Sequence, residues 1–117
     1  MATKEQHVGE AAHDETLARS LAAMNEFGWA VTLLFYASVH LIQAYLVQLG
    51  RITSTHSARE NAMERIRPLQ PVQRHYDTLK IASEAARYDC LVMTQADFER
   101  AQIRYRRLQG HMQRLLR

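Results

Sequence analysis

The chain has a single cysteine, Cys90, among its 117 residues. That excludes an intrachain disulfide framework and any cysteine-based zinc centre within one copy, and it fits a reducing compartment. Proline and glycine are scarce, with two and four residues, so little interrupts a composition rich in the helix formers Ala, Leu, Arg, Gln and Glu. No stretch alternates as a strand does, and no internal repeat or low-complexity segment occurs. The N-terminal MATKEQHVGEAAHDE lacks the apolar core segment of a signal peptide. The expectation is a cytoplasmic, single-domain, all-α protein over residues 1–117, with 1–9 flexible and a core large enough to stand without disulfide or metal.

Acid is missing from one end. After Glu99 there is none, while Arg100, Arg104, Arg106, Arg107, Arg114 and Arg117 follow. Residues 1–50 hold two basic against five acidic residues, and 51–117 hold thirteen against seven. A gradient of this kind suits an anionic partner, nucleic acid first.

Residues 28–50, GWAVTLLFYASVHLIQAYLVQLG, carry no Asp, Glu, Lys or Arg. Length alone allows a membrane span. Against it stand His40, Gln43 and Gln48, costly in hydrocarbon, and thin positive flanks. Every other predicted helix has a one-sided apolar stripe that needs a partner, and a soluble bundle needs one helix that is apolar nearly all round. The segment is therefore read as a core helix, with no membrane partner. Thr32, Tyr36, His40 and Gln43 share a face on it, a polar seam whose partners must come from this chain, a second copy or a ligand.

Periodicity and capping residues place the other helices. The first is predicted over about 9–25, with Leu17, Leu21 and Met24 on its apolar side. A short one is predicted over about 58–67, capped by Thr55 or Ser57, with Ala62 and Ile66 inward. The next covers about 71–87 with the stripe Val72, Tyr76, Leu79, Ser83 and Ala86. The last starts after Thr94, where Thr94 and Asp97 resemble a capping box, and runs to about 115 with Phe98, Ala101, Tyr105, Leu108, Met112 and Leu115 aligned. This gives four long helices plus one short helix in an up-and-down bundle. Gly50 is expected to close the central helix.

On the last helix Arg100, Arg104, Arg107, His111 and Arg114 form a second stripe at steps of four, three, four and three. Arginine forks match phosphate oxygens, so the stripe could track a polynucleotide backbone, or it could simply be a solvated face. No acid is expected to neutralise it within the helix, and aromatics that would stack on single-stranded bases are missing.

Four pieces, FYASVH (35–40), THSARE (55–60), YDTLK (76–80) and SEAARYDC (83–90), in this order resemble the HEPN superfamily of small helical bundles. The closest likeness is to a branch of short bacterial and archaeal members. There an aromatic-rich helix (here Trp29, Val31, Phe35, Tyr36, His40) precedes an H-x-x-R loop (His56, Arg59) and an A-R-Y element (Ala86, Arg87, Tyr88). The resemblance implies a homodimer. It also implies either metal-independent RNA cleavage of a toxin or defence type, or an inactive domain that binds nucleotides or a separately encoded partner protein. Active members carry R-x4–6-H, in which histidine moves a proton and arginine steadies charge on phosphate. Three such matches occur, at Arg51–His56, Arg104–His111 and Arg106–His111, and about two are expected by chance.

The branch pattern instead assigns His40, His56 and Arg59 as catalytic candidates. Arg87, Tyr88 and Tyr36 become phosphate-binding candidates, with Arg100, Arg104 and Arg107 as a basic surface. Each has a plainer reading: a hydrogen-bonded core histidine for His40, a helix cap and surface charge for His56 and Arg59, amphipathic core phenols for the tyrosines, an ordinary helix-end cation for Arg87. No cofactor is implied. Metal binding through His40 and His56 is discounted because no carboxylate or histidine recurs beside them at ligand spacing.

Overall fold

The computed structural model describes Met1–Arg117 and contains α1 (Lys4–Ala23), α2 (Phe27–Gln48), α3 (His56–Arg65), a 3-10 turn (Arg67–Leu69), α4 (Gln70–Tyr88) and α5 (Gln95–Leu115). It is an all-α bundle of four long helices and one short one, with no strand. Helix α2 is its axis, packing against α1, α4 and α5, while α3 lies against α4. Twelve of the residues of α2 are buried, from Ala30 through Leu46. It is the one helix long and apolar enough to cross a membrane, and 67% of that stretch is buried inside the fold. Neighbouring helices therefore remove most of its apolar surface from water.

Local chemistry sets the ends. Thr94 and Asp97 form the expected capping box, and Thr55 caps α3 through Ala58 N–H. Gly50, at φ 74°, ends α2 in a Schellman turn: its N–H reaches Val47 C=O at 2.9 Å and Arg51 N–H reaches Leu46 C=O at 2.8 Å. Asn25 makes the same left-handed turn at the end of α1, with φ 63°. Helix α1 begins at Lys4, not near residue 9. Thr3 and Gln6 make a reciprocal capping box that starts it five residues early.

The apolar stripes of α4 and α5 are buried as their spacing predicts except at their last members, Ala86 and Leu115, which are half-buried, and His75 joins the face of α4. Helix α1 differs. Its buried face is Ala11, Asp14 and Ala18, with Leu21 partly buried against the core, whereas Leu17 and Met24 are exposed. Small side chains on that face let the backbone of α1 approach α2 closely. A carboxylate, Asp14, is thereby carried into the α1–α2 contact.

Candidate functional site

The polar seam of α2 is satisfied within the chain, but by different elements. Thr32 Oγ1 donates to Gly28 C=O at 2.9 Å, and Tyr36 Oη accepts from Arg87. His40 meets His7, and Gln43 is bonded to Thr53. Successive members of the seam drift around the helix by about 40° per four residues, so Tyr36 looks toward α4 and His40 toward α1.

Around the Tyr36 end, α3 and α4 assemble a cationic cluster. Arg59, one turn into α3, is 4% exposed. Its Nε donates to Tyr76 Oη at 3.1 Å, and an Nη2 nitrogen meets His56 Nδ1. Tyr76 Oη in turn donates to Glu60 Oε2 at 3.2 Å, and Lys80 Nζ binds the same carboxylate at 2.9 and 3.0 Å. Tyr76 is held below by an edge-on contact with Phe35, ring centroids 5.4 Å apart.

Arg87, in the last turn of α4, fans its guanidinium over four acceptors. Nη1 donates to Tyr36 Oη and Tyr88 Oη, each at 3.1 Å, and Nε and Nη2 reach the backbone and side-chain oxygens of Ser83. Its carbon centre is 4.8 Å from the centroid of the Tyr88 ring.

Two electrostatic facts define this cluster. Neither Arg59 nor Arg87 has a carboxylate within ion-pair distance; the salt bridges of the chain are Arg19–Glu15, His40–Asp14, Lys80–Glu60 and Arg100–Asp97. And His56 titrates below the ordinary histidine range, first because its ring loses some water, then because Arg59 lies beside it, with Lys80 and Arg87 adding to the effect and Glu60 opposing it. Three cations and one carboxylate thus act on this imidazole. Because a guanidinium can only donate, the Arg59 contact requires His56 Nδ1 to accept. The ring is then neutral with its proton on Nε2, a donor and not a base at that atom.

Five of the sequence candidates fall here into two bonded groups, His56 with Arg59 and Arg87 with Tyr36 and Tyr88, and Arg87 acts on His56 through space. His40 does not share a bond with them. Its Nδ1 is 3.0 Å from His7 Nδ1, its Nε2 is 3.9 Å from Asp14 Oδ2, and Glu10 lies close by. The expectation that no carboxylate stands near it at ligand spacing is overturned by Glu10 and Asp14, one turn apart on α1. The pair was readable as E-x3-D, but nothing in the sequence ties it to residue 40.

The basic stripe of α5 is also less free than expected. Arg100 is paired with Asp97, the acid of the capping box, and Arg104 Nη1 contacts His75 Nδ1 at 3.3 Å. His111 Nε2 donates to Pro68 C=O at 2.7 Å, Arg114 Nη2 lies 3.4 Å from His111 Nδ1, and Arg107 and Arg114 are exposed. None of the three arginines Arg100, Arg104 and Arg107 is bonded to the cluster.

Exposed aromatics, absent from α5, stand instead beside Arg87. Trp29 is 60% exposed and Tyr88 70%. Trp29, Ala86, Arg87, Leu91 and Val92 line one shallow groove of about 320 Å³. Tyr76, Glu60, Lys80 and Ser83 complete the bonding. All four lie in the pieces THSARE, YDTLK and SEAARYDC, but in the sequence Tyr76 and Ser83 count only as members of the apolar stripe and none of the four as a site residue. The chain matches no model of a known protein family, and no curated protein matches it.

Proposed function

We propose that the chain recognises the phosphate of a nucleotide or RNA at the His56–Arg59–Arg87 cluster, in the manner of a HEPN-like domain that binds without cutting. The observation that carries this reading is a pair of arginines, one of them buried, with no carboxylate partner. A buried cation without a counter-ion is costly, and a phosphate oxygen would offset that cost with charge-assisted bonds. Tyr88 and Trp29 offer faces on which a base can stack next to Arg87. The tautomer of His56 favours recognition over proton abstraction, because its Nε2–H donates to an anion while its acceptor nitrogen is occupied by Arg59.

Fluorescence anisotropy with labelled oligoribonucleotide and with a mononucleotide, in chelator, tests the proposal. Arg87→Ala and Arg59→Met should each weaken binding by roughly 10–100-fold, the loss expected for a charge-assisted bond. Equal binding by wild type and both variants defeats it. Cleavage of the RNA in chelator, abolished by His56→Ala, would move the site to the metal-independent ribonuclease reading.

The competing reading, a homodimeric interaction module, is favoured by a second groove between α4 and α5. It holds the exposed apolar residues Ile81 and Leu91 together with Ala82, Ala85 and Met93. A second copy seated there would bury them. Sedimentation of wild type and Ile81→Asp distinguishes a dimer through this groove from a monomer.

A further inference from the structure

The contact between α1 and α2 holds a second cluster that the phosphate site does not use. Glu10, Asp14 and His40 each offer a ligand-capable atom, all within 4.8 Å of one another. Glu10 and Asp14 project from the same face of α1 because they are one turn apart. His40 reaches them from α2, with its Nε2 3.9 Å from Asp14 Oδ2. His7, one turn before Glu10, closes the arrangement from the other side of the imidazole, Nδ1 to Nδ1 at 3.0 Å.

Asp14 carries the chemistry. The residue is 8% exposed and its side chain 12%; the carboxylate oxygens still touch water, and their one partner within the chain is the long ion-pair approach of His40. Buried carboxylates are ordinarily hydrogen-bonded, paired or metal-bound. Glu10 sits on the exposed side of the same opening. A hollow of about 430 Å³ lined by Gln6, His7, Gly9, Glu10 and His40 leads to it from solvent.

We propose that Glu10, Asp14 and His40 bind a first-row divalent cation such as Zn²⁺ or Mn²⁺, with His7 positioning the His40 ring. One imidazole and two carboxylates are a donor set such ions accept, and the open side leaves room for water ligands. The His7 contact fits the usual outer-shell pattern. A proton on His40 Nδ1 donates to His7 Nδ1 and leaves the Nε2 lone pair facing the two carboxylates. Without a cation the reverse tautomer, with His7 donating and the proton on His40 Nε2, faces Asp14 as a donor, and the ion displaces that proton. Ligand atoms around such an ion stand about 3–3.4 Å apart, so binding requires the three side chains to close by roughly 1–1.5 Å, a matter of χ rotation on two helices already in contact.

The ion would cross-link α1 to α2, so folding stability reports it whether or not the protein has any activity. The test uses the untagged full chain, stripped with chelator and titrated with ZnCl₂ or MnCl₂ while thermal unfolding and calorimetric stoichiometry are followed. One ion per chain with a rising melting temperature is expected. Glu10→Gln should lower affinity by about tenfold or more, and Asp14→Asn should abolish the shift. His7→Ala should keep the stoichiometry and weaken affinity by about 10–100-fold, the range for outer-shell partners. Circular dichroism shows whether Asp14→Asn folds; if it does not, the exposed Glu10→Gln decides alone. No rise in melting temperature with either ion, or the same rise in Glu10→Gln as in wild type, overturns the site.

Discussion

Arg87 lies across Tyr36. Its guanidinium carbon is 5.5 Å from the ring centroid, and Nη1 donates to the phenol oxygen at 3.1 Å, joining two residues 51 positions apart. The bond fastens the C-terminal turn of α4 to the middle of α2, and it fixes the direction in which the remaining Arg87 protons point. Removing the hydroxyl alone, in Tyr36→Phe, keeps the ring and its attraction for the cation. The expected cost is about 1 kcal/mol, read as a lower urea midpoint with an unchanged slope. A midpoint equal to wild type would mean that Tyr88 and Ser83 hold Arg87 without help.

Acid should weaken the fold well above the carboxylate range. Both His56 and His75 titrate below the model-peptide value of 6.5, each through partial burial first and through a neighbouring arginine next, Arg59 for His56 and Arg104 for His75. The folded state therefore binds fewer protons than the unfolded chain in this window. Stability held above pH 6.5 is lost as pH falls from there through the folded-state values. Asp77, whose carboxyl burial pushes up from 3.8, contributes with the opposite sign and at lower pH. Melting temperature should thus fall on going from pH 7 to pH 5. His75→Gln, which cannot titrate, should flatten part of that slope, and an unaltered slope in the variant would remove His75 from the account.

The stripes of α4 and α5 were legible in the sequence because large apolar residues recur there at helical spacing, and the pattern alone says which side is buried. Helix α1 was not. Of its large hydrophobes Leu21 packs against the core, but Leu17 and Met24 are exposed and alanines fill the buried face; a reading weighted by side-chain size cannot see a close approach made by small ones. In the cationic groups the one-turn spacing of His56 and Arg59 was legible, but no spacing connects that pair to residues 36 and 87, which meet only through the packing of α2 against α4. His40 shares the seam with Tyr36, but the drift of the helix turns it to α1 and to partners, His7 and Asp14, that the seam did not predict.

Cys90 follows the last turn of α4 with φ 55°, in the left-handed region. It is exposed and forms no disulfide. A residue with a Cβ is strained in that conformation, and asparagine tolerates it better than most, as Asn25 does at the end of α1. Cys90→Asn should raise stability by about 0.5 kcal/mol, and Cys90→Gly by a similar amount, because the added freedom of the unfolded chain offsets part of its relief. Urea unfolding of both variants in reductant checks this; a drop in both would show that the thiol makes a contact worth more than the strain.

Arg59 offers the sharpest separation between structure and function. A side chain 4% exposed that served only to hold the fold should cost about 3–5 kcal/mol when its charge is removed from a buried pair. Yet Arg59 has no carboxylate partner to strand. Its neighbour Tyr76 keeps a bond to Glu60 at 3.2 Å, and His56 is open to water. Methionine fills nearly the same length without a charge to desolvate. Arg59→Met should therefore melt within about 1 kcal/mol of wild type, or above it, as removal of a buried charge that has no carboxylate partner does. The same protein should lose phosphate affinity by roughly 10–100-fold. Loss of stability with binding intact would make Arg59 a structural residue and return the cluster to the interior of the bundle.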